Sequence, residues 1–116
     1  MNLTDRTQNP AGGLRRRDRA QRRDDVELVT RYHEAQLSEL LDHLRDGVRR
    51  YEEGELNAFE LDDVVRQYTG AARELWKFCG DLSGSGAAST ARALRAMPAD
   101  AERIDWWERG RRRAPR

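Results

Sequence analysis

Two histidines, one cysteine, two arginine clusters and an adjacent pair of tryptophans are the side chains of this chain with chemistry to offer. A carboxylate-bridged metal bundle needs Glu-x-x-His pairs projecting inward from two helices. The nearest match is Glu39 with His43, spaced one residue too far, with Glu39 on the outer face, and residues 58–79 hold no histidine. No metal and no cofactor are therefore expected, and His33, on an apolar face, reads as a core or interface histidine. Cys79 sits beside Phe78 and Trp76 with no recognisable base or orienting group, so it reads as a small buried hydrophobe rather than a nucleophile. The glycines of Gly84-Ser85-Gly86 lack the Lys-Ser/Thr ending of a phosphate loop. The acidic pairs Glu52–Glu53 and Asp62–Asp63 are most simply solvated helix ends. No catalytic residue is expected, and the chain does not read as an enzyme.

The arginines point to binding. Arg15, Arg16 and Arg17 with Arg22 and Arg23, and Arg111, Arg112 and Arg113 near the other end, have the charge to neutralise phosphates of a nucleic acid. Solubility, or pairing with the acidic middle of a neighbouring chain, is the favoured reading of them. The pI near 8.0 falls short of the value above about 9 expected of a dedicated nucleic-acid domain. Trp106 and Trp107 point about 100° apart on a helix. One reading docks one of them on the rest of the fold and lays the other over arginine. The other reading makes them an aromatic anchor for a partner.

Two long helices must position these groups. Counting about 100° per residue, Val26, Val29, His33, Leu37, Leu40, Leu41, Leu44, Val48 and Tyr51 share one arc, which predicts a helix from Asp24 to about Glu53. Gly54 is its stop. Asn57 and Glu60 then form a capping box, with Leu56 and Leu61 placed as a staple, opening a helix from Ala58 to Cys79 that Gly80 ends. Its arc holds Leu61, Val64, Val65, Tyr68, Ala71, Ala72, Leu75, Trp76, Phe78 and Cys79. Gly70-Ala71-Ala72 leaves a notch suited to close helix packing. The expected organisation is a disordered basic arm (1–23), a helical hairpin (24–80), a Gly/Ser linker (81–90), short C-terminal helices (91–109, one opening at Pro98) and a basic tail (110–116).

Composition narrows the classes. With 116 residues, 37 % of them hydrophobic and 37 % charged, the chain makes one small domain and excludes large multidomain enzymes. Twenty-one of the 22 basic residues are arginine, a bias of high-GC genomes. The net charge of +1 conceals segregation: +5 over residues 1–23, −7 over 24–80 and +3 over 81–116. One cysteine and no visible apolar leader or spanning segment lead to the expectation of a cytoplasmic protein with no membrane partner. The stretch FELDDVVRQYTGAARELWKFCG at 59–80, with YHEAQLSELLDHL at 32–44, resembles segments of small uncharacterised helical proteins from high-GC actinobacteria. The resemblance covers about half the chain and implies a bacterial helical protein without implying any activity.

Each arc is wider than one antiparallel neighbour covers. The expected fold is therefore all-α: a long antiparallel helical hairpin plus one or two short C-terminal helices, completed as a bundle by oligomerisation or a partner. The expected function is a non-enzymatic protein–protein interaction or regulatory module, antitoxin-like or adaptor. Its interface would use Leu37, Leu41, Leu44, Val48, Val65, Tyr68, Ala72, Leu75 and Trp76, with Trp106 and Trp107. The alternative is a nucleic-acid-associated protein gripping phosphates through its arginines.

Overall fold

The computed structural model describes residues 3–80, 85–97 and 103–113. They form four helices, α1 (Leu3–Glu52), α2 (Ala58–Cys79), α3 (Ser85–Ala96) and α4 (Trp106–Arg113), with no strand among the described residues. The chain is all-α.

The turn between α1 and α2 is held by its own backbone. Gly54 takes a φ of +81°, which favours glycine, and the amides of Glu55 and Leu56 both close back onto the Arg50 carbonyl, at 2.8 and 3.3 Å. Asn57 then caps α2. Its side chain accepts from the Glu60 amide at 2.8 Å, while the Glu60 carboxylate accepts from the Asn57 amide at 2.9 Å. From there α2 runs back along α1. Val64 lies against Gly47, where a Cβ would sit 2.9 Å from the Val64 Cγ1. Further along, the His33 and Trp76 rings are 5.4 Å apart, and those of Tyr32 and Phe78 5.8 Å.

Three boundaries differ from the sequence expectation. The first helix starts at Leu3, so residues 3–23, expected as a disordered arm, continue α1. Arginine, alanine and glutamine are good helix formers, and Gln21 donates to Asp25 one turn on at 2.9 Å. Within the expected 81–90 linker, Ser85–Thr90 belong to α3. Ala87, Thr90 and Ala91 are buried there, because small side chains let a helix approach its neighbours closely, and the Thr90 hydroxyl donates to the Phe78 carbonyl near the end of α2 at 2.7 Å. Last, α4 opens at Trp106 and takes in part of the expected basic tail. Its cap is Asp105, whose carboxylate accepts from the Glu108 amide at 3.1 Å. Pro98, expected to open a helix, lies outside the described residues.

The core gathers Val29 and Leu40 of α1, Ala71, Leu75 and Cys79 of α2, Ala91 of α3 and Trp106 of α4. Packing of α3 falls mainly on α1, and that of α4 mainly on α2. Because α1 runs beyond α2, the molecule measures 82 × 27 × 23 Å. No buried side-chain polar atom is left unpaired among the described residues.

Asp25 is a buried charge at the α1–α3 junction, only 4 % exposed. Burial pushes its carboxyl upward, but hydrogen bonds from Arg95 (2.8 Å) and Gln21, with the positive charges of Arg95 and Arg92, outweigh that and hold it below its ordinary 3.8. A depressed carboxyl stabilises the fold above the unfolded pKa, and that contribution is lost as pH falls through the folded one. Urea midpoints between pH 6 and pH 3 should therefore fall below about pH 4, and Asp25→Asn should be weaker at pH 6 with a flatter acid limb. Parallel acid limbs would remove Asp25 from the account.

Candidate functional site

The two C-terminal helices roof one flank of the hairpin and leave the other open. With Leu37 as the zero direction on α1, Leu40, Val29 and Gly47 lie about 60–80° to one side and are buried. Leu41 and Val48 lie about 20–40° to the other side and are 41 % and 39 % exposed. The arc of α2 divides the same way. Ala71 and Leu75 are buried, whereas Val65 and Trp76, turned about 80–100° from Leu75, are 40 % and 58 % exposed. The open flank of α1 thus lies beside the open flank of α2.

The residues expected at an interface separate into three sets. Leu41, Val48, Val65 and Trp76 are exposed, and Leu37, Leu44, Tyr68, Ala72 and Trp107 are half-buried. Leu75 and Trp106 are buried inside the chain and face no partner, which corrects the expectation for both. Leu75 lies at the centre of the α2 arc. Trp106 is drawn inward because its indole Nε1 donates to the Tyr32 hydroxyl at 2.9 Å and its ring meets Phe78 at 5.3 Å. Trp107 also docks at home, stacked on His43 with ring centroids 4.3 Å apart, while its carbonyl accepts from the Gln67 side chain at 2.9 Å. The cation that covers an indole is Arg109, 5.0 Å from the Trp106 ring. Tyr51, exposed near the turn, lies about 40° from Leu37 on the side of Leu40 and stands outside the open stripe. The very exposed Phe59 lies off the α2 arc, and no spacing signal distinguishes it.

Between the two open flanks is a shallow groove of about 460 Å³, lined by Thr30, His33, Glu34 and Leu37 of α1 and Tyr68, Ala72 and Trp76 of α2. Burial holds the His33 imidazole below its ordinary 6.5, which favours its neutral form. Burial likewise pushes the Cys79 thiol up to about 11, leaving it a neutral packing group. On the roofed side, Glu39, His43, Arg103 and Asp105 border a smaller recess with Trp106 and Trp107. Among the described residues no three His, Cys, Asp or Glu side chains are grouped to hold a metal ion.

The arginines fall on two elements. Arg16, Arg19, Arg22 and Arg23 line one concavity on successive turns of α1, and none is in an ion pair among the described residues. Arg111 is exposed on α4 and lies 3.6 Å from Glu108. The side chains of Arg15, Arg17, Arg112 and Arg113 lie outside the described residues. No described helix is long and apolar enough to cross a membrane. Comparison of the chain with protein families, with curated proteins and with solved structures found no match to any of them.

Proposed function

We propose that this protein is a non-enzymatic interaction module whose working surface is the open flank of the α1–α2 hairpin. One observation carries the reading: after α3 and α4 have covered what they cover, Leu41, Val48, Val65 and Trp76 remain exposed and share one side of the molecule. Scattered exposed apolar residues are ordinary, whereas a contiguous stripe across two helices signals a docking surface. The flanking groove offers helix-sized apolar anchor points on a rigid scaffold.

The test replaces Leu41 and Val65 together by glutamate. Both side chains are already about two-fifths in water, so helicity and melting temperature should change little. Every association through the flank, with a copy of itself or with another protein, should weaken at least tenfold, because two charges must then be desolvated. Affinity capture with the unaltered and doubly substituted chains, quantified side by side, reads this out. An unchanged set of bound proteins, its own copies included, would overturn the proposal.

A second reading is favoured by the arginine concavity on α1: nucleic-acid backbone binding through Arg16, Arg19, Arg22 and Arg23. It predicts that log affinity for duplex DNA or RNA falls linearly with log salt and collapses when these four arginines become glutamine.

A further inference from the structure

We infer that the occupant of the open flank is a second copy of this chain, laid antiparallel, so that the arginine stretch of α1 in each copy crosses the acidic turn end of the other. The inference rests on the reading of that flank as a docking surface and adds partner and orientation.

The direction of the charges along the stripe is the first ground. On the same angular count, Arg16, Arg19 and Arg23 fall within about 60° of Leu37, in line with Leu41 and Val48. The stripe therefore begins basic and becomes apolar from Leu37 to Val48. It ends at a turn where residues 52–63 carry six acids and no base. Arg49 pairs with Asp46 and Glu53, Arg50 with Glu55 and Arg66 with Asp62 within their own chain, which engages those carboxylates as much as those arginines, and residues 49–66 keep a net charge of −3. A surface with a basic end, an apolar middle and an acidic end is complementary to itself under a two-fold rotation across its middle. A two-fold axis crossing α1 at Leu37 sets Arg19 of one copy level with Glu55 in the turn of the other, and Arg23 within one residue of Glu52, since both are displaced nearly equally at about 1.5 Å per residue. The parallel arrangement instead lays arginines beside arginines and carboxylates beside carboxylates, and like-charge contact selects against it.

Area and helix physics agree. The four exposed apolar side chains of the stripe leave roughly 400 Å² uncovered per copy, and the half-buried Leu37, Leu44, Tyr68 and Ala72 extend the patch towards the ~800 Å² per partner of an ordinary stable interface. The part of α1 N-terminal to Asp25 has no buried residue from Arg16 to Asp24, Arg17 being undescribed. A helix of that length with no packed face is marginal in water. Crossing the acidic end of a second copy would give it a neighbour.

Sedimentation equilibrium of the full chain between 5 and 200 µM, in 50 mM and 500 mM salt, tests this. A dimer is expected, held less tightly at the higher salt. Arg19→Glu with Arg23→Glu should weaken it at least tenfold in 50 mM salt, and so should Glu52→Arg with Glu55→Arg. An equimolar mixture of the two variants should form a heterodimer within about threefold of the original affinity, because every crossing then pairs opposite charges. Circular dichroism checks that each variant stays helical, and the single changes Arg23→Glu and Glu52→Arg replace either double that does not. A chain monomeric at 200 µM overturns the inference while leaving the docking reading to its own test. A dimer broken by the Leu41→Glu, Val65→Glu pair, yet whose charge variants fail to complement, overturns the antiparallel arrangement alone. A dimer indifferent to the Leu41→Glu, Val65→Glu pair overturns both.

Discussion

Replacing Trp106 by alanine should cost about 3–5 kcal/mol, a large part of the ~5–15 kcal/mol that holds a domain of this kind. Trp106 is 3 % exposed and is the bulkiest side chain of the core. It sits at the first residue of α4, and its ring reaches down to Phe78 of α2 and its Nε1 to Tyr32 of α1. Truncation empties that volume, strands the Tyr32 hydroxyl against apolar neighbours and removes the largest contact binding α4 to the hairpin. Trp106→Phe keeps most of the packing and should cost about 1–2 kcal/mol. Tyr32→Phe leaves a buried indole N–H without its acceptor and should fall in the same range. Urea denaturation followed at 222 nm separates the three. A loss below 1 kcal/mol for Trp106→Ala would mean that α4 is an accessory to the core rather than part of it.

The importance of Trp106 marks where sequence reading succeeds and where it stops. Local chemistry was legible. Asn57 and Glu60 make their capping box, Gly54 turns the chain, and the apolar arcs lie where a 3.6-residue period puts them. These features are set by residues within one or two turns of each other. The start of α1 was not legible, because residues 3–23 carry too few apolar side chains to show a period, while their helix propensity is spread thinly over many arginines. Ser85–Thr90 misled by composition: the small residues of a flexible linker are the same ones that let α3 pack closely. At α4 the capping signal was present as Asp105 followed three residues later by Glu108, but Pro98 offered a competing start.

The interface residues show a deeper limit. Periodicity identifies an apolar arc but cannot say which of its edges a distant segment will cover. Leu40 and Leu41 are adjacent in sequence and equally apolar, yet one is 2 % exposed and the other 41 %. The difference depends on the side to which α3 and α4 return, and that is decided by contacts many residues apart: Arg95 with Asp25, Trp106 with Tyr32, and Gln67 with the Trp107 carbonyl. Polar atoms that must be paired when buried thus choose the covered side, and the open flank is what remains.

Gly110 provides the other large expected effect, and it runs against helix propensity. Gly110 is buried in α4 against α2. A Cβ there would stand 2.5 Å from the Ala71 nitrogen and 2.7 Å from the Ala71 Cβ, and closer still to the Gln67 carbonyl oxygen. Across the contact, a Cβ on Gly70 would stand 2.9 Å from the Gly110 oxygen. None of these obstacles is the movable end of a side chain, so the helices themselves must separate. Exchange of glycine for alanine in a helix interior ordinarily stabilises by up to ~1 kcal/mol, but overpacking against backbone costs more, and Gly110→Ala should lower stability by about 1–3 kcal/mol. Gly110→Val should undock α4 altogether, with a loss approaching that of Trp106→Ala and a shift of Trp106 emission towards the solvated value. Since both substitutions break one docking event, their penalties should not add: in the Trp106→Ala background, Gly110→Val should cost under 1 kcal/mol more. A stabilising Gly110→Ala would show that the two helices have room to spare. Additive penalties would show that Trp106 anchors the core independently of the helix that carries it.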